Sequence, residues 1–342
     1  MRRKVFYSVG GILLVLIVWN FNLIRYGIGQ GLGQWKILRN AIPVQEVLAD
    51  PTVPDSVKQK LSLVQEVRQY AIDSLGINDS NNYTTLYDQK GKDILWIVTG
   101  SRPFALEAKE WHFPFLGSVP YKGFFIYEKV LKEEAGLLNE GWDTNIRAPG
   151  GWSTLGWFKD PILSNMLSDS EGDLANTIIH ELTHNTIFVK DSVELNENLA
   201  SFIGDLGALR FLKHKFGMAS PLYQGYVNAK MDRSAFIDHI LRGADRLDSL
   251  YLSWPEDLQI ETKSQSKKEL IEKIITSVDT LKLGEKERFK EFLAGQRVNN
   301  AFFMSYLRYR VNYDFFEDEF NRSFKGDLKG YLDYLKQKYP SL

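Results

Sequence analysis

The chain has 342 residues, 44% of them hydrophobic, with 42 Lys and Arg against 43 Asp and Glu. That is the composition of a folded protein with a sizeable core, and its balanced charge gives a nucleic-acid partner no electrostatic support, so none is expected. The absence of cysteine excludes thiol catalysis, disulfides, Cys-ligated zinc, iron–sulfur clusters and lipoprotein acylation.

At the N-terminus, Arg2, Arg3 and Lys4 form a basic flank to an apolar run over residues 5–24, broken only by Ser8, two glycines, Asn20 and Asn22. About twenty such residues cross a hydrocarbon core of roughly 30 Å. A cleaved signal peptide would have an apolar region of about 7–15 residues ending in small side chains, whereas this run ends in Trp19, Asn20, Phe21 and Asn22. Residues 1–26 therefore read as an uncleaved single-pass anchor, basic end in the cytoplasm and the remaining chain outside. The glycine-rich stretch 27–33 reads as a connection from the membrane.

Residues 35–75 show helical spacing interrupted by Pro51 and Pro54, which predicts two helices split by the prolines. Short apolar runs predict strands at 94–98, 118–127, 143–147 and 152–158, with a helix at 128–138 between them. From Asp173 the pattern is helical almost to the end. The expected fold class is α+β: a small mixed sheet in the first half and a helical second half. Residues 27–342 would form one domain, as a single core or as two packed lobes at about 35–165 and 166–342.

The chemistry concentrates in Ile179-His180-Glu181-Leu182-Thr183-His184. Histidines four apart on a helix lie about 40° from each other around its axis, so both imidazoles can meet one Zn²⁺ at roughly 2.0–2.1 Å. Glu181 is placed to approach a metal-activated water without becoming a ligand, as a general base must. Asp173 can cap the helix, and Ile178, Ile179 and Leu182 supply its burying face.

A third ligand is available in Glu197, with Asp191 and Glu194 as rivals. Glu197 opens a helical stretch ending at Phe216 before Gly217, and Ala200, Ser201, Gly204 and Ala208 share its side. Small residues there let that helix lie close to the one bearing the histidines, which a ligand as short as Glu requires, and on this ground Glu197 is favoured.

The segment resembles the bacterial putative aminopeptidase family of zinc metallopeptidases, in which H-E-L-x-H is followed by an Asn-Glu-x-x-Ala element, here Asn196, Glu197 and Ala200. Further agreement lies in Gly29-Gln30 and Gly33-Gln34, in Gly117-Ser118-Val119-Pro120-Tyr121, in Ser153-Thr154-Leu155-Gly156-Trp157 and in Asn299-Asn300-Ala301, so the likeness spans nearly the whole chain. Where members often carry a Cys pair, this chain has His112 and Ser118. The resemblance implies a zincin-like fold, His180, His184 and Glu197 as ligands of Zn²⁺, Glu181 as base, peptide or protein substrates, and a periplasmic domain tethered to the bacterial cell membrane.

Peptide hydrolysis also needs a donor to the carbonyl oxygen, for which Tyr309 and Tyr306 are candidates. Residues 152–158 could serve as an edge strand aligning substrate backbone. Glu194 and Asp160 are candidate partners for a substrate amine. Aminopeptidase activity is the expected specificity. An envelope endopeptidase of the same chemistry and a noncatalytic tethered protein with a structural zinc are the alternatives, and retention of Glu181 speaks against the second.

Overall fold

The computed structural model describes residues 21–113, 117–149, 159–310 and 313–339, with the side chains of Tyr309 and Arg310 outside the description. The chain divides into two units, Met1–Ala41 and Ile42–Leu342. In the first, helix α1 (Phe21–Asn40) runs through the glycines at 27–33. This corrects the expected connection: Ile24, Ile28, Leu32 and Trp35 recur at helical spacing, and that periodicity continues across glycines that each cost a helix only about 1 kcal/mol. Most of the expected anchor, residues 1–20, lies outside the described residues. Among those described, no helix is long and apolar enough to cross a membrane.

The second unit is α+β, with small sheets and a predominance of helix. Strand β1 (Ile42–Pro43) leads into α2 (Val44–Ala49), and after Pro51 and Pro54 comes α3 (Asp55–Tyr70), the break the prolines predict. Strands β2 (Thr85–Tyr87), β3 (Trp96–Ser101), β4 (Trp111–Phe113), β5 (Gly117–Val119) and β6 (Lys122–Phe124) precede helix α4 (Tyr127–Asn139), then β7 (Asp143–Arg147) and β8 (Ile162–Leu163). They form two three-stranded sheets, β1-β2-β8 and β6-β3-β7, and a β4-β5 hairpin. β3 pairs antiparallel with both neighbours, with Val98 opposite Ile146 and Trp96 opposite Phe124. The 152–158 strand expected from the sequence lies outside the described residues.

Helix α5 (Glu171–His184) is capped by Ser170, whose hydroxyl accepts from the Asp173 amide at 3.1 Å and donates to the Asp173 carboxylate at 2.8 Å. Asp173 is thus the reciprocal partner inside the first turn rather than the cap, because Ser at N-cap with an acid three residues on satisfies the exposed amide while placing negative charge at the positive end of the helix. Helix α6 (Val193–Phe216) begins one turn before Glu197 and stops at Gly217, which adopts φ 81°. Leu174, Ile178, Ile179 and Leu182 of α5 are fully buried with Leu61, Val64 and Val67 of α3 and Leu199, Ile203 and Leu212 of α6. This apolar cluster draws on residues from Val44 to Leu335.

The remaining helices, α7 (Pro221–Leu252), α8 (Ile260–Thr276), α9 (Lys286–Ala294) and α10 (Asn300–Arg310), enclose a second cluster around Phe236, Leu247, Ile274 and Phe303. After them come α11 (Tyr313–Ser323) and α12 (Leu328–Lys338), whose Phe316, Phe320, Tyr331 and Leu332 return to the first cluster. The start of α10 is tied to the sheet: Asn299 Nδ2 donates to Thr144 O at 2.9 Å, and the Asn300 amide donates to the Asp143 carboxylate at 2.9 Å. The Asn299-Asn300 pair therefore fastens the start of α10 to β7.

α5 and α6 lie close because α6 carries glycine where they touch. A Cβ on Gly207 would fall 2.9 Å from Ile179 Cγ2 and 3.0 Å from Leu75 Cδ1. Gly207→Val is expected to destabilise the protein by about 1–3 kcal/mol through overpacking, measured by urea unfolding; an unchanged midpoint would show that the helices can separate freely.

Candidate metal centre

The two histidines point from the last turns of α5 and the glutamate from the second turn of α6. His180 Nε2 lies 3.2 Å from His184 Nε2 and 3.7 Å from Glu197 Oε2, and His184 Nε2 lies 3.7 Å from Glu197 Oε1. A tetrahedral ion with bonds of roughly 2.0–2.1 Å would set its ligand atoms about 3.4 Å apart, so the spacing fits one small divalent cation. The donor set, two imidazoles and a carboxylate, suits zinc. His180 and Glu197 keep 17% and 18% of their side-chain surface, which leaves the centre reachable from one side. Asp191 and Glu194 do not join the group; they line a separate cavity of about 420 Å³.

The asparagines on either side of Glu197 explain how it is aimed. Asn196 clasps the preceding loop, its Oδ1 accepting from Val189 N at 2.8 Å and its Nδ2 donating to Val189 O at 2.7 Å. Asn198 Nδ2 donates to Arg308 O at 2.7 Å, pinning α6 to α10. The stretch of backbone that carries Glu197 is thus held from both directions. These roles were not read from the sequence, although the Asn-Glu-Asn run was visible there.

Burial sets the charge states. It pushes His184 down to about 4, with the positive influence of His180 adding to it and Glu197 opposing. The ring is neutral at physiological pH, as a ligand must be, and its Nδ1 is buried with no hydrogen-bond partner among the described residues, so Nε2 is the nitrogen engaged with the site. For His180, burial acts downward but the Glu197 hydrogen bond and the charges of Glu181, Glu197 and Asp205 outweigh it, and its pKa is raised. Burial pushes Glu181 up to about 7; His180 opposes this, while Glu197 and Asp160 reinforce it.

Two further carboxylates act on the centre without belonging to it. Asp205, two turns beyond Glu197, accepts from Asn176 Nδ2 at 2.7 Å and from Tyr313 Oη at 2.8 Å. Its signal was available in the sequence, since Asn176 and Asp205 recur at helical spacing from His180 and Glu197. Asp160 carried no such signal for this role: it is fully buried, its amide donating to Asn82 Oδ1 at 2.9 Å, and it has no surface to offer a substrate amine. Tyr306 lines a cavity of about 690 Å³ beside the centre. Tyr309 lies on α10, with its side chain outside the described residues.

A family model described as "Putative aminopeptidase" matches residues 25–338. The chain belongs to this family. Membership points to peptidase activity and hence to peptide substrates. Neither curated proteins nor solved structures yield a match. The family match covers both helices of the candidate centre and the cavity, so the geometry above belongs to the family's own part of the chain.

The buried acids make a stability prediction. Between pH 4.5 and about 7 the folded, metal-free chain keeps a proton on Glu181 that the unfolded chain has released, so this group lowers stability progressively across that window and by a constant amount above it. Glu181→Gln removes the effect. In chelator the variant should be more stable than the wild type at pH 8, by at most about 3 kcal/mol, and equal to it below pH 4.5. His184 acts on the other side: its folded pKa of about 4 is depressed from 6.5, so its contribution is lost as pH falls through that range. Urea titrations at pH 4, 6 and 8 would reveal both; absence of a gain at pH 8 would show that the fold does not raise Glu181 in this way.

Proposed function

We propose that this chain is a zinc-dependent aminopeptidase of the zincin kind whose third ligand is glutamate. The observation that carries the reading is the convergence of His180, His184 and Glu197 within about one zinc coordination sphere, beside a half-buried carboxyl that is not a ligand. Zn²⁺ held there would supply Lewis acidity, lowering the pKa of a water towards 7 and polarising a carbonyl. Glu181 takes the proton from the water as its oxygen bonds to the scissile carbonyl carbon, and delivers it to the departing nitrogen as the C–N bond breaks. Burial of Glu181 favours both halves of this transfer, since a carboxyl poised near neutrality accepts and returns a proton at similar cost. Tyr309 is the proposed donor to the developing oxyanion.

Replacing His180 or His184 by Ala should empty the site of zinc, measured by metal analysis, whereas Glu181→Gln should keep zinc and reduce peptide turnover by about 10²-fold or more. Full activity in Glu181→Gln would reject the mechanism. Comparing one peptide with free and acetylated N-termini in the same assay separates the specificities: equal cleavage at an internal bond would make the protein an endopeptidase, and zinc without turnover on either would make it a binding protein.

The basic flank and the apolar run at residues 5–24 support a membrane anchor with the domain in the periplasm. Protease added to intact spheroplasts should digest the domain; protection of everything beyond Arg39 would reverse the orientation, and a mature chain starting after residue 24 would show cleavage.

A further inference from the structure

In helix α1 the exposed side is the more apolar one. Gln34 and Ile37 are buried, and Tyr26 and Gln30 on the same side are half-buried. From the opposite side Phe21, Ile24, Ile28, Leu32 and Trp35 stand out into solvent, with Ile28 59% and Leu32 63% accessible. At about 100° per residue these five fall within roughly 80° of arc, a single stripe about 21 Å long. A helix flank that faces water ordinarily carries polar side chains, and a continuous exposed apolar stripe marks an interaction surface.

The stripe is bordered by charge of one sign. Arg25, Lys36 and Arg39 are exposed, and by the same period all three lie within about 80° of the stripe's midline. The helix contains no Asp or Glu. Arg39 lies over the Trp35 ring at 5.0 Å, so cation and aromatic are presented together. This composition selects the occupant. Pairing with α1 of a second copy would set cations against cations with no acid to offset them. An anionic lipid surface takes both parts, the apolar side chains below the headgroups and the cations among the phosphates, and Trp suits that boundary.

We propose that the stripe from Phe21 to Trp35, with Arg25, Lys36 and Arg39 beside it, seats α1 along an anionic phospholipid surface, as an interfacial contact distinct from the anchor read at residues 5–24. The two are separable. An anchor holds the chain to any bilayer, whereas this face selects a negatively charged one.

The chain has no cysteine, so one reporter can be placed by substitution. Leu32→Cys in the stripe and, in a separate chain, Met218→Cys at an exposed turn carry the same environment-sensitive fluorophore. Full-length protein is combined with vesicles of phosphatidylcholine, alone or with an equal part of phosphatidylglycerol. Quenching by acrylamide is compared between the two positions, and flotation reads attachment. With phosphatidylglycerol present, the reporter at position 32 should be quenched about threefold less than the one at 218 and should emit further to the blue; in phosphatidylcholine alone this protection should be severalfold smaller. Replacing Arg25, Lys36 and Arg39 together by Gln should remove the difference between the vesicles. Equal quenching at both positions in anionic vesicles overturns the proposal, as does protection that is the same in both vesicle types. Protection that arises without lipid and grows with protein concentration overturns it in favour of an interface between copies. Flotation with both vesicle types and an unprotected reporter keeps the anchor and rejects the face; flotation with anionic vesicles alone and a protected reporter upholds the face and rejects the anchor.

Discussion

Where α6 crosses α5, a Cβ on Gly204 would lie 3.1 Å from the β-carbon of His180 and 3.2 Å from the Asn176 carbonyl oxygen, and the candidate centre depends on that close approach. Glutamate has only two methylenes with which to reach a metal shared with histidines on another helix. Even a methyl group at the crossing would press the helices apart by a few tenths of an ångström. Fully buried Ala200 and Ala208 extend the same narrow seam. Close packing of helices and placement of a ligand are here a single requirement on the same few positions.

Proximity has an electrostatic consequence. Bringing two imidazoles and two carboxylates into a partly closed space, with Asp160 and Asp205 behind them, raises the cost of every charge that lacks a partner. The tuned groups respond differently: His184 becomes neutral, His180 holds a proton better because acids surround it, and Glu181 retains its own. A divalent cation would relieve the crowding of negative charge, which ties the proposed occupancy to the stability of the helix pair.

How much of this could be read without coordinates varies with sequence distance. His180 and His184 were legible because helical period alone brings them together, and Glu197 because small residues recur on its face. The span of β7, the end of α6 at Gly217 and the break at Pro51 and Pro54 follow from equally local rules. The helix through residues 27–33 is masked in the sequence because its four glycines signal a loop locally, while the apolar spacing that sustains it runs over a longer window. The cavity was not legible at all: Arg147, Thr177, Ser201 and Tyr306 come from a strand and three helices, and no local pattern links them.

The two halves of the site also differ in when they can form. All three candidate ligands fall between residues 180 and 197 within one helical hairpin, so closing that loop costs little chain entropy, while the Asn198 bond to Arg308 O that steadies α6 waits for α10. The cavity wall requires Asn299 and Asn300 to find β7, more than 150 residues earlier in the chain. Such long-range closure is slow relative to helix pairing. During synthesis the hairpin leaves the ribosome well before α10, so the three candidate ligands are all available before the cavity wall can close.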